Sequence, residues 1–100
     1  MNQPQPIICT LTQEQREQRG TNWRDALAPL VTNLQERPNG YALALEGGDL
    51  ELSRIEALAE AEHACCPWMH LELRRGPSPE LSITTVSEEG KARIKSMLGL

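Results

Sequence analysis

An α+β fold of two layers, with helices packed on one face of a small, mostly antiparallel sheet, is predicted by three features of the sequence. Apolar residues recur at helical spacing in the stretches 13–37, 54–65 and 88–98. Short strand-like runs lie between them, at 41–45, 70–75 and 81–86. Strong turn chemistry punctuates the chain at Pro38-Asn39-Gly40, Gly47-Gly48 and Gly76-Pro77-Ser78-Pro79. The order read from these signals is β-α-β-α-β-β-α. It makes one domain over residues 7–100, behind a disordered lead of residues 1–6.

Residues 7–11 read as a short strand. Thr12 followed by Gln15 matches a capping box, in which each side chain accepts the other residue's backbone N–H. The helical stretch after it is read to about Arg37. Trp23, Leu27, Leu30, Val31 and Leu34 recur at helical spacing through its second half. Gly20 and Pro29 interrupt it, so it is one kinked helix or two, with Asn22 capping the second. Residues 41–45 alternate as a strand does. Asp49-Leu50-Glu51-Leu52 suits either a hairpin partner or the approach to the next helix. Ser53 with Glu56 supplies a second capping box, and the helix is read to Cys65. Two strands follow, joined by the Gly-Pro-Ser-Pro turn, and Ser87 caps a last helix carrying Ile94, Met97 and Leu98.

With three aromatic residues and no Phe in 100, the core must be built from Leu, Ile, Val, Ala and Met. A net charge of −4 argues against a nucleic-acid partner. No apolar run reaches membrane-spanning length, and Met1-Asn2-Gln3-Pro4-Gln5-Pro6 lacks the pattern of a signal peptide. Three cysteines, two of them adjacent, do not make a secreted disulfide framework, so a cytoplasmic setting is expected. The signatures of a phosphate-binding loop, a serine triad and an H-E-x-x-H metalloenzyme are missing.

The segment Glu62-His63-Ala64-Cys65-Cys66-Pro67-Trp68 holds the chemistry. At about 100° per residue, Ile55, Leu58, Ala59 and Cys66 share one helix face, with Cys65 at its edge and Glu62 between them. Glu56, Glu60 and His63 turn to the opposite side. A buried carboxylate must be protonated, hydrogen-bonded, paired or metal-bound. Pro67 has no N–H for the His63 carbonyl and biases Cys66 away from helical geometry, so the helix ends or kinks at the thiols. The freed backbone N–H groups near residues 68–70, or a cation shared with the cysteines, are the expected partners of Glu62. Thiolates with a carboxylate or imidazole suit zinc, and thiolates alone suit copper(I) or mercury(II). A carboxylate beside thiols with no cation suppresses thiolate formation, which argues for a metal over a thiol nucleophile. Against this stands a structural role, with Cys65 and Cys66 as small apolar residues and Glu62 as a backbone acceptor. Cys9, Trp23 and Trp68 read as core residues, and His63 as polar surface.

Around Glu62-x-x-Cys65-Cys66-Pro67-Trp68 the chain resembles a group of small bacterial proteins of uncharacterised activity that share an E-x-x-C-C-P-aromatic signature. Phe is usual in that group where this chain has Trp68. The resemblance runs from Gly40-Tyr41 through the strand pair to the last helix. It implies a bacterial, cytoplasmic domain and brings no reaction with it.

The sequence thus points to a small cytoplasmic binding protein with a soft-metal or thiol-responsive site. Glu62, Cys65, Cys66 and His70 are the candidate metal ligands, for zinc or another thiophilic metal. The alternative is a non-catalytic interaction module, a homodimer, in which the Glu-Cys-Cys-Pro segment is structural. An enzymatic use of the same residues ranks below both.

Overall fold

A computed structural model describes residues 12–100. The lead at 1–6, the strand read at 7–11 and Cys9 lie outside the described residues. Within them the chain runs α1 (Gln13–Leu27), β1 (Val31–Arg37), β2 (Gly40–Leu45), α2 (Asp49–Cys65), β3 (His70–Arg74), β4 (Glu80–Thr84) and α3 (Glu88–Leu98). The four strands form one sheet in the order β1-β2-β4-β3, with every neighbouring pair antiparallel. The α+β class is as the sequence predicts.

Strand register explains the two layers. Leu34, Leu43, Leu81 and Leu73 lie opposite one another in one cross-strand row, and Tyr41, Ile83 and Leu71 in the next. Side chains alternate between faces, so the row between them is Gln35, Ala42, Ser82 and Glu72, on the other face. The apolar face joins Trp23, Leu27, Ile55, Ala59, Ile94 and Leu98 from the helices in one core.

α1 begins as read. Thr12 Oγ1 accepts from Gln15 N at 3.1 Å, and Gln15 Oε1 accepts from Thr12 N at 2.9 Å. The helix does not run on to Arg37, however. It stops at Leu27, and Val31–Arg37 is strand β1. Pro29 cannot donate to the Asp25 carbonyl, which removes the next helical rung. Beyond it, Pro38 and Asn39 form a tight turn that pairs Arg37 with Gly40 and zips β1 onto β2. The helical spacing of Val31 and Leu34 has its own cause. The register shifts between Val31 and Asn33, where Thr32 is an extra residue, so Val31 and Leu34 sit opposite Leu45 and Leu43 on one face. A bulge turns a period of two into a gap of three, which mimics a helix.

α2 also starts earlier than the Ser53–Glu56 pattern predicts. Gly48 is its N-cap, and Glu51 Oε2 accepts the Gly48 N–H at 2.9 Å. Asp49-Leu50-Glu51-Leu52 is therefore the first helical turn, not a hairpin strand. Ser53 and Glu56 instead receive Arg75, at 3.2 and 3.4 Å. α3 follows the sequence reading, with Ser87 Oγ accepting from Gly90 N at 3.0 Å and Ile94 and Leu98 buried.

Candidate functional site

Leu52, Ile55, Ala59, Glu62 and Cys66 recur at intervals of three and four, and all five are buried. Glu56, Glu60 and His63 are exposed. Glu62 is thus the acidic residue that α2 turns inward, at 3% exposure, as its position on the helix predicts. The helix ends at the thiols for the expected reason. Cys66 donates its N–H to the Glu62 carbonyl at 2.7 Å, but its φ of −129° and ψ of 74° leave the helix one residue before Pro67. Met69 N–H closes the turn on the Cys66 carbonyl at 3.0 Å.

The Glu62 carboxylate meets side chains from α1, not the backbone near residues 68–70. Trp23 donates its indole N–H to Oε1 at 2.8 Å. Arg19 brings Nη1 to 3.5 Å of the same oxygen, and its Nη2 donates to Cys65 Sγ at 3.8 Å. On the other side, Cys66 Sγ donates to Oε2 at 3.4 Å. Burial alone would lower the pKa of Arg19, but its hydrogen bond to Cys65 and the charge of Glu62 outweigh that and hold it above the ordinary value. The cation shared between Glu62 and a cysteine is therefore a guanidinium of the protein itself.

Arg19 and Trp23 were missed as partners by the sequence reading. Their signal was present: they are four residues apart, hence on one face of α1, and that face continues to Ala26 and Leu27 in the core. An arginine one turn before a fully buried tryptophan is well placed to reach a buried carboxylate. Trp23 and Trp68 are both core residues, at 0% and 4% exposure, as expected. Trp23 also serves the carboxylate.

Of the four candidate metal ligands, Glu62 and Cys66 are in contact, and Cys65 is held beside them through Arg19. His70 is exposed, and its ring lies 6.0 Å from that of His63, whose Nδ1 is 2.9 Å from the Met69 carbonyl oxygen. Among the described residues, no group of three or more His, Cys, Asp or Glu side chains comes together as a metal would need. Cys65 is partly exposed, Cys66 is buried, and neither is in a disulfide. A cavity of ≈ 370 Å³ opens beside them between α1 and α3, with Glu62, Cys66, Trp68 and Met69 in its wall.

No protein-family model, curated protein or solved structure matches the chain. No helix among the described residues is long and apolar enough to cross a membrane.

Proposed function

We propose that this is a small binding protein that responds to thiophilic metals or thiol reagents through Cys65 and Cys66, with Glu62 as their proton acceptor. The observation that carries this reading is the Arg19 guanidinium shared by Glu62 and Cys65, at 3.5 and 3.8 Å. With that charge supplied by α1, a buried carboxylate beside two thiols no longer needs a metal for its own neutralisation. Glu62 Oε2 already accepts from the Cys66 thiol, so it is placed to take that proton when the sulfur binds a metal. Since Glu62 is engaged and His70 is exposed beside His63, two sulfurs are the natural ligand set. Such a set suits copper(I) or mercury(II) better than zinc, which takes four ligands.

Reduced protein in a Cys9→Ser background, equilibrated with zinc, copper(I) and mercury(II), tests this directly. The expected result is one copper(I) or mercury(II) per chain, weak zinc, and loss of binding in Cys65→Ser/Cys66→Ser. Alkylation followed by peptide mass mapping should label the partly exposed Cys65 before the buried Cys66. Metal binding that survives the double substitution would overturn the reading.

One observation favours a second reading, self-association. Among the described residues, β1 is an edge strand, and Leu34 on it and Leu100 are exposed apolar side chains lining one groove with Val31 and Leu43. An edge of this kind is a template for pairing with a second copy. Light scattering over a concentration series tests it, and a monomer throughout would reject it.

A further inference from the structure

The cavity beside Glu62 has a charge opposite to that of the chain as a whole. Arg16, Arg19, Arg24 and Arg93 line it, against Glu17 and Glu62, in a protein of net charge −4. Three of these arginines come from α1, at positions 16, 19 and 24, and the Arg24 guanidinium folds back over Gly20. A Cβ at Gly20 would stand 3.0 Å from Arg24 Nη1 and 3.6 Å from the Met97 carbonyl oxygen. Arg24 is committed to the scaffold, donating to that carbonyl at 3.2 Å and to Thr21 Oγ1 at 3.4 Å. Among the described residues, Arg93 makes one long surface contact, 3.9 Å to Glu89. Arg16 is exposed on the cavity rim.

A second observation, independent of charge, concerns donors. Trp68 lines the same cavity at 4% exposure, and its indole N–H is buried with no hydrogen-bond partner among the described residues. Arg19 Nη1 is likewise buried without an aligned hydrogen bond among the described residues, and lies 3.5 Å from Glu62 Oε1. Buried donors are nearly always satisfied. Arg19 has Glu62 as its acceptor, so the Trp68 donor, on a residue that lines the cavity, is the one that calls for an acceptor there. An oxyanion supplies several lone pairs, and arginine forks match carboxylate and phosphate oxygens geometrically. The cavity volume of ≈ 370 Å³ lies at the small end of the range for small-molecule sites.

We propose that the cavity between α1 and α3 binds a small molecule through a phosphate or carboxylate group, held by Arg16, Arg19 and Arg93 with the Trp68 indole N–H as a neutral donor. The thiols need not react for this. The anion site and the thiol site therefore share a wall but fail or succeed separately.

The chain has two tryptophans, so its two indole N–H resonances report the site and its control. Trp68 faces the cavity, whereas Trp23 is bonded to Glu62. Reduced, metal-free protein labelled with nitrogen-15 is titrated with inorganic phosphate and, separately, with malonate, each against chloride at matched ionic strength and pH. The Trp68 resonance, assigned with Trp68→Phe, should shift saturably with one or both oxyanions and not with chloride. The arm that responds identifies the ligand group. Arg16→Gln/Arg93→Gln changes two exposed side chains, and should weaken the binding at least about tenfold. An unmoved Trp23 resonance would show that the variant is folded. No saturable shift with either probe, or an equal shift in the double variant, overturns the proposal. Loss of metal binding in Cys65→Ser/Cys66→Ser has no bearing on it.

Discussion

Among the described residues, two carboxylates meet a cation more than 40 positions away in the chain, and the shorter contact is the better screened one. Glu36 on β1 lies 2.7 Å from Lys91 Nζ of α3, whereas Glu62 on α2 lies 3.5 Å from Arg19 Nη1 of α1. Their settings differ: 67% of the Glu36 side chain is exposed, against 4% for Glu62. Water competes for the Glu36 carboxylate, and it screens the pair. At the Glu62 site the carboxylate is itself almost wholly buried, so each lost partner leaves a buried group poorly compensated. Burial, not distance, ranks the two pairs. Lys91 also lies 5.6 Å above the Tyr41 ring, so its own position does not depend on Glu36 alone.

The largest effect should come from erasing the buried carboxylate. Glu62→Leu removes the acceptor of the Trp23 indole N–H and the partner of Arg19 together, and should cost ~3–5 kcal/mol, the range for breaking a buried pair. Glu62→Gln retains an acceptor for Trp23 while removing the charge, and should cost less, ~1–3 kcal/mol. Denaturant melts rank the two. A Glu62→Leu variant as stable as the wild type would show that the carboxylate contributes nothing net to the packing of α1 against α2.

Trp23→Phe isolates one donor at the same site. The ring remains to fill the core, but Oε1 of Glu62 loses its shortest hydrogen bond, 2.8 Å. The expected loss is ~1–3 kcal/mol, partly from the smaller ring and partly from the missing bond. Combining it with Glu62→Leu, which removes the acceptor, separates the two parts. If the indole and the carboxylate act through each other, the double variant loses less than the sum of the single losses. Additive losses would place the effect in packing alone.

How far the sequence revealed each region follows from the range of the signal. The inward turn of Glu62 was legible because helical periodicity is local, and its neighbours Ile55, Ala59 and Cys66 are within two turns. The capping of α1 and α3 was legible for the same reason, since a cap joins residues three apart. The identity of the cation was not, because Arg19 is 43 positions before Glu62 and nothing local links α1 to the end of α2. β1 was misread for a different reason. A bulge at Thr32 gave Val31 and Leu34 a helical gap, and only the ladder with β2 distinguishes the two structures. The cap of α2 was misplaced because Gly48 has no capping side chain to display, and Glu51 supplies the bond from inside the helix.

The smallest effect belongs to the exposed pair, and pH reveals it more cleanly than a single melt. The hydrogen bond from Lys91 holds the Glu36 carboxyl below its ordinary value, aided by the charges of Lys91 and Lys95. A carboxyl depressed in the folded state binds its proton less readily there than in the unfolded chain. Its contribution is therefore fully present above the unfolded value and is lost as pH falls through the folded one. In Glu36→Gln the acid limb of the stability curve should become shallower, with stability near neutral pH almost unchanged. Added salt should shrink the difference between wild type and variant, because Glu36 faces solvent. The same salt should change the cost of Glu62→Gln less, because that carboxylate is buried. A salt response of equal size at the two carboxylates would contradict the ranking by burial.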